Sequence, residues 1–179
     1  VPAYEETQLE GFAEMVDKGL VYKGRKAIHW CIDCETALAA AEIEYSDEVS
    51  PSIFVAYTYK DAAKVFPQLE GRDVDIIIWT TTPWTLPASM AVAVHPRFDY
   101  GFYEVGDKVY LIAQGLKEKV IKATGLDLKE PIISCKGADL ELSKAMHPFY
   151  DKEVVVVLAE YVDLETGTGC VHTAPGHGN

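Results

Sequence analysis

Ile53-Phe54-Val55-Ala56-Tyr57-Thr58-Tyr59 is a run of β-branched and aromatic side chains interrupted by one alanine, with Ser50 and Pro51 ahead of it. Such residues fit a pleated, half-buried strand. Working downstream, similar runs occupy residues 74–81, 91–94, 100–105, 108–113 and 154–162. Turn signals separate them: Gly71-Arg72-Asp73, His95-Pro96, and Gly106-Asp107, the last a two-residue hairpin turn. A helix is predicted over 114–123, ended by Gly125. Many short strands with one or two helices predict an α+β chain, mainly β, built as a closed or nearly closed barrel with helical decoration.

Upstream of Ser50 the pattern changes. Leu9, Phe12, Met15 and Val16 recur at helical spacing, with Gly19 as the stop. Val21, Ile28 and Trp30 suggest a strand or hairpin arm over 20–30. Past the Cys31-Ile32-Asp33-Cys34 pair, residues 37–41 favour helix by propensity, whereas Ile43, Tyr45 and Val49 favour extension. The expected division is therefore 1–49, a helix and CxxC arm, and 50–179, the barrel. No internal repeat or low-complexity tract interrupts either part.

Composition narrows the class. The chain has 179 residues, 49% apolar and 25% charged, which suits one large domain or one with a small appendage. No apolar run approaches the roughly 20 residues of a membrane span. No basic-then-apolar leader opens it, so a cytoplasmic location is expected. Cysteines at 31, 34, 135 and 170 do not form a disulfide framework. The net charge of −12 opposes an unaided grip on nucleic acid. Cations cluster only locally, at Lys23, Arg25 and Lys26 and at Lys117, Lys119 and Lys122.

Two segments carry chemistry. Trp79-Thr80-Thr81-Thr82-Pro83-Trp84-Thr85-Leu86-Pro87 follows the apolar Asp75-Ile76-Ile77-Ile78. A plain strand edge would explain threonine and tryptophan equally well. However, Pro83 removes a backbone donor and restricts Thr82, so the strand must end there. The hydroxyls then sit at the mouth of the fold, where uncharged donors suit a water, a ribose or an ester carbonyl. The second segment runs Glu165-Thr166-Gly167-Thr168-Gly169-Cys170-Val171-His172-Thr173-Ala174-Pro175-Gly176-His177-Gly178. Its glycines permit close backbone approach, and His172 and His177 titrate near neutrality. Signatures of an activated serine, a zinc protease, a phosphate loop or a dinucleotide fold are absent from the sequence.

Together these segments resemble the editing domain of the isoleucyl-tRNA synthetases. The first, through Ala88, precedes the second by about eighty residues, and His29 to Tyr45 is similar to the stretch where that family enters its insertion. The likeness covers nearly the whole chain in order. Related valyl and leucyl enzymes carry an arginine after the paired threonines, where this chain has Thr82 and then Pro83-Trp84-Thr85. The resemblance implies that Thr81 and Thr82 line the terminal adenosine and the scissile ester. It makes Trp84 and Thr85 the wall and floor of an amino-acid pocket that His172 closes against a side chain larger than valine. Thr80, Ser89 and Gly176 complete the implied substrate-binding set, and Thr81, Thr82 and His172 the catalytic one. The implied reaction is hydrolysis of valine mis-attached to the isoleucine-specific tRNA, and of valyl-adenylate before transfer, by water and without a covalent protein nucleophile. The need is energetic: one methylene is worth about 1–3 kcal/mol, a limit for which isoleucine against valine in this same family is the standing example.

The implied partners are the 3′ end of that tRNA, valine or valyl-adenylate, and the rest of the synthetase; the segment itself is expected to be monomeric. It is expected to need no cofactor, ATP and magnesium serving the parent enzyme. The ATP-site signatures of class I synthetases do not occur here, so this stretch cannot activate isoleucine. Two departures from the family stand out. The family motif continues to an aspartate that pairs with the substrate ammonium, whereas this sequence ends at Asn179. Loss of that partner is expected to weaken the segment as an enzyme, leaving a binding module as the rival reading. Ser89 replaces an asparagine found in many relatives. Cys31 and Cys34 are half of a zinc site whose other half would lie outside the chain, so no metal is expected within it.

Overall fold

The computed structural model describes residues 1–25, 28–47 and 49–177. Lys26 of the first basic cluster, and Gly178 and Asn179 at the end of the second motif, lie outside the described residues. The chain divides into two compact units, Val1–Tyr45 and Ser46–Gly178.

In the first unit, helix α1 (Pro2–Asp17) starts on a proline, whose missing N–H costs nothing at a helix start. It ends in a Schellman motif: Gly19, at φ +70°, donates to Val16 O at 2.9 Å, and Leu20 N–H reaches back to Met15 O at 3.0 Å. None of its residues is buried, including the apolar Leu9, Phe12, Met15 and Val16. The predicted arm over 20–30 reduces to a small hairpin, β1 (Trp30–Cys31) against β2 (Thr36–Ala37). Of the two options for 37–41, the chain takes a 3-10 turn at Ala40–Glu42, where Glu42 accepts the Ala39 N–H at 2.7 Å.

The second unit holds two sheets. Five strands run in the order β3 (Ile53–Thr58), β4 (Asp73–Thr80), β7 (Lys108–Ala113), β6 (Asp99–Val105) and β8 (Ile133–Lys136). Four more run β11 (Cys170–Thr173), β5 (Ala91–Val94), β10 (Glu153–Leu158) and β9 (Lys144–Met146). Side-chain alternation then explains the apolar runs. Ile76, Ile78, Phe102, Leu111 and Ala113 face a core shared with Val92, Val94, Val154 and Val156 of the second sheet. Ile77, Tyr103 and Ile112 point the other way, against Val120 of α3 (Lys117–Thr124) and Leu128. The five-stranded sheet is thus covered on both faces, which is why β4 reads as continuous hydrophobicity. Both β4–β7 and β5–β10 are parallel pairs; the remaining pairs are antiparallel.

No closed barrel forms among the described residues. Near α2 (Ala62–Val65), which follows β3, the sheets are tied by the Lys60–Glu153 ion pair, by Tyr59 O–H donating to Ser143 Oγ at 3.0 Å, and by Asp61. Asp61 N–H donates to Lys144 O at 3.1 Å, and its carboxylate accepts the Lys144 N–H at 3.0 Å. These bonds, and not a strand ladder, join β3 to β9. The α+β, mainly β architecture is as predicted, with the hairpin turn at Gly106-Asp107 joining β6 to β7. No described helix is long and apolar enough to cross a membrane.

Candidate active site

Strand β4 stops at Thr80, three residues before Pro83, and the chain turns. Thr82 N–H donates to Thr80 Oγ1 at 3.1 Å, and the two hydroxyls lie 3.3 Å apart. A 3-10 turn, Pro83–Ala88, follows, with Thr85 N–H on Thr82 O at 3.0 Å. Opposite it, β11 adds to the edge of β5 with His172 in register with Val92. Part of the glycine-rich second segment, Cys170–Thr173, is therefore a strand, since its backbone finds partners some eighty residues away in β5.

Between these elements lies a cleft of about 350 Å³. Its floor and walls include Trp79, Thr80, Thr81, Thr82, His172, residues 161–163 with Asp163, and residues 166–171. Uncharged hydroxyls dominate it, and Asp163 is the single charged side chain lining it among the described residues. That carboxylate already accepts the N–H groups of Glu165 at 2.8 Å and Thr166 at 3.4 Å. No lysine or arginine among the described residues lines the cleft.

Thr85 is buried beneath the cleft and touches His172: Thr85 Oγ1 to His172 Nε2 is 3.2 Å. The Thr85 hydroxyl has one proton, and it points to Thr82 O at 2.8 Å. Hence His172 Nε2 carries a proton and donates to Thr85. Its Nδ1 is then a bare acceptor, buried and without a partner among the described residues. Burial pulls the His172 pKa below its ordinary 6.5. A neutral ring with one nitrogen committed and the other sealed is poorly placed to abstract a proton from water; it is well placed to form a wall. Cys170, two residues earlier on the same strand, is fully buried, and burial pushes its thiol far up, so it offers no thiolate.

Thr80, Thr81, Thr82 and His172 are thus gathered around one cleft, with Thr85 in support. Trp84, Ser89 and Gly176 are outside its lining. Trp84 is 64% exposed. Ser89 is fully buried, where its hydroxyl receives the Tyr57 O–H at 3.0 Å. Gly176 sits at φ +80° in an exposed turn with His177. The sequence reading did not single out His147, Tyr100 and Tyr161. Tyr100 holds the glycine segment by donating to Gly169 O at 2.6 Å, while accepting the His95 N–H at 2.9 Å. Gly169, at φ +74°, has no room for a side chain: a Cβ there would fall 2.3 Å from Ala113 Cβ. The His147-Pro148-Phe149-Tyr150 run, a histidine among aromatics, was the available signal for a packed histidine.

Cys31 and Cys34 form a compact pair in which Cys34 N–H donates to Cys31 Sγ at 3.3 Å, lowering the Cys31 pKa. That geometry fits half of a tetrahedral thiolate site. No set of three or more metal-binding side chains occurs among the described residues.

Comparison with known proteins bears on the whole arrangement. The chain is 50% identical over 179 residues to the isoleucine--tRNA ligase of Caldanaerobacter subterraneus subsp. tengcongensis. It is 51% identical over 177 residues to that of Syntrophomonas wolfei subsp. wolfei. Each alignment covers 99% of this chain but 19% of the relative, so the chain spans about a fifth of their length. Among solved structures, the cytosolic leucyl-tRNA synthetase editing domain of P. falciparum matches with a TM-score of 0.57 at 9% identity, over 69% of this chain and 60% of that one. The corresponding P. knowlesi domain matches at 0.54 and 14% identity, over 68% and 55%. At those identities the likeness is one of fold. The family model for tRNA synthetases class I (I, L, M and V) matches residues 1–146, and the chain belongs to that family.

Proposed function

We propose that the cleft hydrolyses the ester joining valine to the 3′ end of isoleucine-specific tRNA, and valyl-adenylate as a smaller substrate. A water oxygen adds to the ester carbonyl carbon, the bond to the ribose oxygen breaks, and valine leaves as its carboxylate while the ribose regains its hydroxyl. Thr81 and Thr82, with Thr80 behind them, hold the ribose and the attacking water. His172, locked on Thr85, limits the size of the side chain admitted. Trp84 and Gly176 act at the exposed rim, and Ser89 acts from behind the turn. The observation that carries this reading is a hydroxyl-lined cleft closed by a neutral, immobilised imidazole beside a thiol that is kept protonated.

The tRNA, the remainder of the synthetase chain, and ATP with magnesium at a separate ligase site complete the proposed setting, in the cytoplasm. Zinc would be held by Cys31 and Cys34 with two donors from elsewhere in the parent, and the segment acts as a monomer. Deacylation of valyl-tRNA and isoleucyl-tRNA, both charged on the isoleucine tRNA, tests the reading with this chain and with its full-length parent. Selective loss of valine by the parent is expected. Equal, slow loss of both amino acids would overturn the proposal, and binding without turnover would make the cleft a capture site.

A further inference from the structure

The turn that carries Thr85 is gripped from behind by groups that touch neither the cleft nor its lining. His147, buried at the end of β9, places Nε2 2.8 Å from Leu86 O. A carbonyl only accepts, so Nε2 carries the proton. Its Nδ1 accepts the N–H groups of Tyr150 at 3.2 Å and Phe149 at 3.4 Å. Every polar atom of the ring is therefore used, and packing fixes its plane: Tyr150 stacks on it at 4.9 Å, Phe149 meets it edge-on at 4.6 Å, and Tyr57 at 6.2 Å. Lys152 adds a second hold, donating from Nζ to Ser89 O at 2.7 Å. Leu86 O, in the last part of the 3-10 turn, also accepts the Ser89 N–H at 2.9 Å, so His147 is its second donor, and Ser89 caps the turn.

We propose that His147, with Lys152 in support, is a positioning residue that sets the size limit of the amino-acid pocket. It does so by fixing the Thr85 turn against which His172 rests. The chain of contacts is short: His147 to Leu86 O, the adjoining Thr85, and Thr85 Oγ1 to His172 Nε2. Releasing the Leu86 carbonyl lets the turn retreat, and with it the partner that orients His172. Even a small retreat changes which side chain fits, because packed pockets discriminate side chains by contact and not by charge. This inference rests on the editing function proposed above.

The test uses the full-length synthetase with valyl-tRNA and isoleucyl-tRNA. His147→Phe keeps an aromatic ring and removes all three polar contacts. It is expected to raise the isoleucyl-to-valyl ratio of deacylation kcat/KM by about 10-fold, mainly through a lower KM for the isoleucyl ester. His147→Gln, which restores an N–H donor at similar reach, is expected to bring the ratio back toward wild type. A purely structural role would lower the thermal midpoint without moving the ratio. Should His147→Phe fail to fold, Lys152→Met frees Ser89 O from the protein surface and is expected to move the ratio in the same direction by a smaller factor. A folded His147→Phe, or failing that Lys152→Met, with the wild-type ratio overturns the inference while leaving the function standing. A wild-type enzyme that does not deacylate valyl-tRNA overturns both.

Discussion

Removing the His172 imidazole takes away the wall that rests on Thr85, and His172→Ala is expected to let isoleucine enter where the wild type takes only valine-sized side chains. Isoleucyl-tRNA deacylation by the full-length variant measures this, and unchanged discrimination would exclude the ring from the size limit. Thr82→Val is nearly isosteric but loses a hydroxyl. A fall in valyl-tRNA kcat of about 10- to 100-fold is expected, the scale of one lost positioning hydrogen bond. The pH behaviour of His172 has a definite sign. Its folded pKa is below 6.5, so the unfolded chain takes up a proton that the folded ring refuses. The ring therefore costs no stability above pH 6.5, and its penalty grows as the pH falls from 6.5 through the folded midpoint. An NMR titration of the His172 Cε1 proton should give that midpoint, below 6.5. At this scale the sequence disclosed the hydroxyls and the histidine, because their kind and clustering are chemical. It did not disclose that Ser89 and Trp84 miss the cleft. That depends on the phase of a 3-10 turn, which brings Thr85 inward, buries Ser89 behind and leaves Trp84 in water.

The elements explain what was readable at the next scale. β3, β4, β6, β7 and β10 announce themselves by dense β-branched or aromatic runs, and β5 by four small apolar residues buried on both sides. By contrast β8, β9 and β11 are three or four residues long and ordinary in composition. Their extension comes from distant partners, so local propensity carries no trace of it. Gly169 illustrates the same dependence. Its positive φ permits the turn into β11, and Ala113 of β7 occupies the space a side chain would need. Gly169→Ala combines backbone strain with overpacking and is expected to destabilise the fold by about 2–4 kcal/mol. Urea unfolding should show it as a lower midpoint at unchanged slope.

Over the whole molecule, apolar burial is uneven. The Ser46–Gly178 unit contains the two hydrophobic clusters, whereas α1 buries nothing. A helix without a packed face is marginal in water. Hydrogen exchange of the 179-residue chain should therefore find the Pro2–Asp17 amides weakly protected, and those of β4 and β7 exchanging only through global unfolding. The periodicity of Leu9, Phe12, Met15 and Val16 foretold the helix correctly, but a stripe of that kind does not say what covers it. Net charge was equally silent on the cleft, whose lining is governed by hydroxyls.

The position of β11 also has a temporal consequence. It follows every other strand of the described residues, yet it pairs with β5 and supplies the histidine that faces the threonine turn. A polypeptide made from its amino end has both β4 and the turn in hand long before residue 172 exists. Until then one edge of β5 lies bare, and the threonine turn faces no histidine. The cleft of a growing chain is therefore completed only when this closing strand has left the ribosome.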